Sequence, residues 1–303
     1  TIQNNGRNGI DVDHSSNNTI VNNTIQNNDG YGIIVDWSSN TNSIFSNVFI
    51  GDGVFVRGAY GNIIEDNIVN GKPLVYMENQ QNRKIDIKAG QIILVCCINI
   101  TIEDQNITNT DYAIELWRTN QTIIRNNTLW GNDWDGIYIG HSTDNCIEHN
   151  IIYNNDVCGI YLRYSSNNTI RYNMLQNNTY GTLLYRSLSS NTIFLNNFIN
   201  NTYQYSDVSS GNRFYSPKPV TYIYRGNVYT NYTGNYWSDY TGDDKNGDGI
   251  GDEPYGLDQY PLVGKVMEEI IIRYSPTVRI TKPRDKEALN TTTIVVEWTA
   301  TDL

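Results

Sequence analysis

Apolar positions recur in this chain as spaced pairs. The phrase Gly-Ile-x-Val, apolar at its second and fourth positions, returns about every 23 residues as Gly9–Val12, Gly32–Val35 and Gly53–Val56. It resumes as Ala113–Leu116, Gly136–Ile139, Gly159–Leu162 and Gly181–Leu184. Strand side chains alternate in direction, so Ile137 and Ile139 are expected inside and Tyr138 outside. The same rule predicts an inward stack of Ile10/Val12, Ile33/Val35, Val54/Val56, Ile114/Leu116 and Ile160/Leu162, ending at Leu184. A second inward stack is expected at Ile20, Ile44, Ile63, Ile102, Ile123, Ile147, Ile170 and Ile193. Short strand phrases separated by Asn, Ser and Gly turns describe one coil of a solenoid. Coils repeat at about 4.8 Å, so each inward Ile or Val sits on its counterpart, and β-branched residues suit that pleated surface. Asparagines beside the strands (Asn22-Asn23, Asn126-Asn127, Asn154-Asn155, Asn177-Asn178) tolerate left-handed backbone and can stack as amide ladders. The predicted fold class is all-β, a right-handed parallel β-helix of about ten coils.

Breaks in the period mark the other regions. Residues 1–210 read as β-helix repeats, with a β-rich excursion at 71–98 taken as one enlarged coil, because Gln91 lies one repeat before Ala113. A solenoid end exposes unpaired strand edges and needs a cap; the Tyr-rich and Asp-rich stretch 211–264 fills that role. Residues 265–303 read as a linker and the first strands of an immunoglobulin-like β-sandwich, at 276–280 and 293–298. With Thr at position 1 inside a repeat and a strand-rich terminus, the chain is expected to be a piece of a longer polypeptide.

Composition narrows the function. Only 17% of residues are charged, and the net charge is −11; a duplex nucleic-acid binder needs a basic footprint instead. No apolar run approaches the ~18 residues that span a bilayer, so no membrane insertion is expected within this stretch. Cys96, Cys97, Cys146 and Cys158 show no Cys-x-x-Cys spacing. They read as small buried residues, with a Cys146–Cys158 disulfide left open.

The Asn-Asn-Thr-Ile repeats, the excursion at 70–103 and the stretch 234–255 together resemble the NosD-like, PbH1-repeat right-handed β-helix proteins. These are frequent in archaeal cell-surface proteins, where immunoglobulin-like modules often follow the helix. The resemblance covers about residues 1–264. It implies a fold and an extracellular or cell-surface location, but not one activity.

The strongest local motif is Asp244-x-Asn246-x-Asp248-Gly249-Ile250-x-Asp252. Side-chain oxygens at its first, third, fifth and ninth positions, with the Ile250 carbonyl, form a hard-cation donor set. Tyr255 stands where a helix-flanked calcium loop has Glu, so the expectation is structural Ca²⁺ in the cap, as in dockerin or thrombospondin repeats. Eleven Asn-x-Thr sequons, at Asn17, Asn22, Asn99, Asn106, Asn120, Asn126, Asn167, Asn177, Asn200, Asn231 and Asn290, are glycosylation candidates in an exported protein. Trp37, Trp117, Tyr138, Tyr161 and Tyr164 form a candidate glycan-stacking face. Asp13, Asp36 and Arg57 on successive coils are compatible with lyase chemistry, yet two acids and an Arg on a polar face also arise without it. With only His14, His141 and His149 and three methionines, no compact copper cluster is legible.

The favoured reading is a non-catalytic structural or adhesive module of a surface-layer, sheath or adhesin-like protein: a rigid, glycosylated rod stabilised by calcium. Its partners would be other surface proteins, copies of itself, or glycans. The runner-up is a carbohydrate-active enzyme (polysaccharide lyase or hydrolase) or a glycan-binding module; the third is a NosD-type copper-handling protein.

Overall fold

A computed structural model describes residues 1–187 and 190–273, together with the backbone of 277–280 and 298–301. It is a parallel β-solenoid, built as two stacks of coils. The first stack has three turns, whose faces are formed by strands at 10–13, 33–36 and 54–57, at 19–21, 43–45 and 63–65, and at 2–3, 24–26, 48–50 and 68–69. The second has six, with its longest face running through strands at 72–78, 91–95, 114–117, 135–140, 158–163, 180–185 and 203–207. Within each stack the pairing is parallel and in register, Ile10 on Ile33 on Val54 and Ile114 on Ile137 on Ile160.

Amide ladders run beside the strands. Asn132, Asn155, Asn178 and Asn201 form one, and Asn150, Asn173, Asn196 and Asn235 another, with amide contacts of 2.7–3.1 Å. Each buried Asn also accepts the backbone N–H of its counterpart on the previous coil, at 3.0–3.2 Å in the first of these ladders. The turns are thereby hydrogen-bonded where a buried polar group would otherwise destabilise the core.

The inward columns follow the predicted alternation with two local corrections. Ile64 and Ile124 are the buried residues, while Ile63 is 53% exposed and Ile123 half-buried. Inward side chains lie two residues after the ladder position (Asn62, Thr122), because only every second residue shares a face.

The larger correction concerns continuity. Val54 and Val56 are not followed by Ile114 and Leu116, and the excursion is not an enlarged coil. Strand 68–69 turns back at Asn70-Gly71 and pairs antiparallel with 72–78, which starts a new stack in parallel register with 91–95. The first stack then seats its last turn on the outer face of the second. Ile93, Val95, Trp117 and Tyr138 of that face join the first stack's core. Side chains satisfy the edge strand that a next coil would have paired. Val54 N–H donates to Gln91 Oε1 (2.9 Å), Gly53 N–H to Asp111 Oδ2 (3.1 Å), and Val56 N–H to the Glu115 carboxylate (3.2 Å).

The far end of the second stack is closed by 203–273. Trp237 stacks on Phe198 at 4.4 Å, and Asp258 accepts N–H groups from Trp237 Nε1, Asn235 and Tyr260 at 2.8–3.0 Å. An antiparallel sheet of 227–231, 220–224 and 270–272 completes the cap. All four cysteines are free thiols, Cys97 and Cys158 buried. Backbone strands 277–280 and 298–301 pair antiparallel; Asn290 lies outside the described residues. Among the described residues no helix is long and apolar enough to cross a membrane.

Candidate functional site

The seating of one stack on the other makes an inner corner, and the chemistry gathers there. Tyr31, Phe55 and Arg57 project from the first stack; Tyr138, Tyr161, Arg163 and Tyr185 project from the long face of the second. Trp134 and Val157 come from the turns that lead into that face, and Asp135 opens its strand 135–140. Together with Tyr112 they line a cavity of about 350 Å³. The rings contact one another: Tyr31 stacks on Phe55 (5.0 Å) and Trp134 (5.1 Å), and Tyr138 meets Phe55 (5.4 Å) and Tyr161 (5.5 Å) edge-on. Gly140 makes the packing feasible, since a Cβ there would lie 2.7 Å from Trp117 and 2.9 Å from Tyr138.

Charge divides the corner. Arg57 forks onto Asp36, with Nε 2.9 Å from Oδ1 and the second nitrogen on Oδ2. Among the described residues no carboxylate pairs with Arg163. Asp135 accepts the Cys158 N–H at 2.9 Å, and burial pushes its pKa up to about 7. The Tyr138 O–H is buried and donates to no acceptor. Arg163 favours its phenolate, yet burial dominates and raises its pKa, so it remains a neutral O–H donor. Beyond Trp134 and Val157 the corner continues into a more open cavity of about 590 Å³ lined by Asp29, Asp133, Asp156 and several asparagines. There burial, and then Asp156, push Asp133 up to about 6.

The predicted aromatic face is therefore split. Trp117 and Tyr138 are each only 2% exposed, because the first stack covers them, so they do not offer an open stacking surface. Trp37 is 46% exposed and carries Arg57 over its ring. Tyr164 stacks on His141 at 4.9 Å, whereas Tyr161 lines the corner. Asp13, Asp36 and Arg57 do stand in register, but Asp36 and Arg57 neutralise each other. Tyr31, Phe55, Trp134, Asp135, Arg163 and Tyr185 were not legible as a group from the repeat. One sequence signal touches them: an Asp and an aromatic residue precede the inward phrase at Asp29/Tyr31, Asp111/Tyr112 and Asp133-Trp134.

Sequon asparagines sit beside the ladders. Asn17, Asn22, Asn99, Asn106, Asn126, Asn167, Asn177 and Asn200 are exposed, and Asn120 and Asn231 half-buried. In the acidic loop, Asp244 accepts N–H groups from Asp248 and Gly249 (3.1 and 3.0 Å), Asp248 from Ile250 (2.8 Å), and Asp252 from Lys245 (2.9 Å). As placed, these carboxylates face the loop's own backbone; among the described residues no three His, Cys, Asp or Glu side chains converge as a metal site. The donor set itself, hard oxygens in one turn, is of the kind Ca²⁺ takes.

A family model described as periplasmic copper-binding protein (NosD) matches residues 50–242, and one described as right-handed β-helix region matches residues 1–69. Among solved structures, the periplasmic alginate epimerase AlgG is 19% identical, with a TM-score of 0.37 over 60% of this chain and 44% of that one. The A-module of the Azotobacter vinelandii mannuronan C-5 epimerase AlgE6 is 18% identical (TM-score 0.34, 69% of this chain, 55% of that one). The GH136 lacto-N-biosidase from Eubacterium ramulus is 12% identical (TM-score 0.32, 68% and 45%). The chain thus spans about half the length of these proteins. No curated protein matches it.

Copper, the metal in the family description, can be tested against the donors present. His149, Met174 and Met267 line one cavity of about 200 Å³ together with Glu268, a grouping the sequence spacing hid. Burial pushes the His149 pKa down, which leaves a neutral imidazole beside two thioethers. That donor set suits Cu(I) in softness.

Proposed function

The chain belongs to the family described as periplasmic copper-binding protein (NosD), and from that premise we propose that it is a glycan-binding β-helix module working outside the cytoplasmic membrane. It holds its ligand without turning it over. The single observation that carries this reading is the corner cleft, where aromatic walls from two stacks enclose a few polar groups. Aromatic faces pack on the apolar faces of sugar rings, and a concave, largely apolar site with sparse polar groups is the usual form of a ligand pocket. Outward positions favour binding over catalysis, because they change from coil to coil (Glu115, Tyr138, Tyr161). The word periplasmic in the family description supports the location. Exposed sequons and ladder-stiffened coils suit a rod displayed against other surface proteins or copies of itself.

Calorimetric titration of the full chain with a panel of oligosaccharides tests this, with product analysis after long incubation. One glycan class should saturate. Trp134→Ala and Tyr161→Ala should each weaken it by at least about tenfold, the loss of a stacking aromatic plus its buried area. Failure of every glycan sinks the reading; new sugar ends that disappear with Asp135→Asn convert it to an enzyme.

A copper-handling role is the second reading, favoured by the cavity shared by His149, Met174 and Met267. These three residues would hold Cu(I) as cargo. Anaerobic competition with a Cu(I) chelator, repeated on Met174→Leu with Met267→Leu, decides it.

A further inference from the structure

Two donors in the cleft lack the partners their burial and charge call for. The Tyr138 O–H is buried and donates to no acceptor, although the Arg163 guanidinium lies beside its oxygen, and an unsatisfied buried donor destabilises a fold. The Arg163 guanidinium lines the same cavity. It lies over the Tyr164 ring at 5.4 Å and beside the Tyr138 oxygen, and among the described residues no carboxylate neutralises it. Arg57, the other cation of the cleft, is already paired with Asp36. The aromatic cavity therefore offers one unneutralised guanidinium and one unspent O–H donor.

We propose that the glycan taken by this cleft is anionic, and that its oxyanion sits between the Arg163 guanidinium and the Tyr138 hydroxyl while aromatic walls hold the sugar rings. This rests on the glycan-binding reading above and specifies the ligand's chemistry. A guanidinium fork matches a planar carboxylate or a sulfate, and the phenol supplies the third donor. The burial that keeps Tyr138 protonated also strengthens the bond it donates. The net charge of −11 would repel an anionic chain at long range, so recognition must be local. That explains why the donor is enclosed by apolar rings and not set on an open surface.

The experiment titrates the full chain with three probes: an oligogalacturonate, its methyl ester, and a neutral oligosaccharide bearing sulfate. The free acid or the sulfate should bind at least about tenfold tighter than the ester, the scale of a charge-assisted hydrogen bond. Which of the two is preferred assigns the oxyanion. Arg163→Met should erase the preference while leaving the ester's affinity in place. Tyr138→Phe should weaken the acidic probe several-fold and at the same time leave the melting temperature unchanged or raise it, since it removes an unsatisfied hydroxyl. A purely structural Tyr138 would show lost stability with unchanged binding. Equal binding of acid, sulfate and ester overturns the anionic inference but leaves the glycan reading standing; no binding of any probe overturns both.

Discussion

The two stacks share one inward pattern and end in different ways. The first ends on the face of its neighbour, where Gln91, Asp111 and Glu115 accept the N–H groups of Gly53, Val54 and Val56. The second ends under a cap, where Trp237 covers Phe198 and Asp258 gathers three N–H groups. Each end solves the problem of an unpaired strand edge with a buried acid, but only one solution leaves a cleft. A cap that follows the coil perimeter seals the end flat. A stack seated on another stack's outer face leaves an inner corner, and that corner collects Tyr31, Trp134, Tyr161 and Arg163.

Breaking the capped end should cost most. Trp237 is 1% exposed and lies in the second stack's core, so Trp237→Ala should lower stability by about 3–5 kcal/mol, read by chemical denaturation. Because the rings that touch Trp237 (Phe198, Tyr205, Phe214 and Tyr255) do not line the cleft, glycan binding should survive at low temperature; loss of both together would show that the ends are not separable. Asp111→Ala attacks the seated end instead. It leaves the N–H groups of Gly32 and Gly53 without their acceptor, at about 2–3 kcal/mol. Here the expected signature is a separate early unfolding step for residues 1–70 and loss of glycan binding. A single cooperative transition with the cleft intact would contradict the corner as a two-stack structure.

Acidity acts on both ends in the same direction. Burial raises Asp135 and Asp258 to about 7 and Asp52 to about 6, and pushes Asp111 and Glu115 well above the usual range. For an acid whose folded pKa is raised, the native state binds more protons than the unfolded chain between the two values. Its stabilisation is complete below the unfolded pKa of about 4 and is lost as pH rises through about 6–7. The melting temperature should therefore fall by roughly 5 °C between about pH 5 and pH 8. Glu103, lowered by Lys84 and Arg125, is half-buried and works the other way only at lower pH. A flat profile across this interval would mean that these carboxyls reach water or counter-ions in solution.

How much of this was legible in the sequence follows from what a repeat encodes. The alternation of Ile137, Tyr138 and Ile139 set the inward column within each stack, and paired asparagines marked the ladders. Neither signal says whether the next coil continues the same stack, because Val54 and Ile114 carry the same apolar demand. The break lies in Asn70-Gly71, where Gly71 takes a φ of 79° and reverses the chain. From there the outward residues Ile93, Val95, Trp117 and Tyr138 became buried, although their periodicity placed them on a surface. Gln91, Asp111 and Glu115 were the available hints: polar residues beside inward phrases, needed by a neighbour that one coil's sequence does not contain.

The finest distinction between the ends concerns calcium. If the acidic loop binds Ca²⁺, only the capped end gains, since the loop is tied there and nowhere near the corner. Tyr222 and Tyr229 donate their hydroxyls to the Asp248 and Gly247 carbonyls, each at 2.9 Å, and Ile250 belongs to the cap's apolar cluster. An ion would draw the Asp244, Asp248 and Asp252 oxygens away from the backbone N–H groups they now accept, so part of its binding energy is spent on that exchange. The expected gain is correspondingly small, about 1–2 kcal/mol at saturating Ca²⁺, or a rise of a few °C in the melting temperature. Asp248→Ala should abolish the response and leave Mg²⁺ without effect in either protein, because Mg²⁺ demands a tighter octahedral shell. Should chelation of the fully loaded protein leave its melting temperature unchanged, the loop is a hydrogen-bonded turn and the cap stands on Trp237 and Asp258 alone.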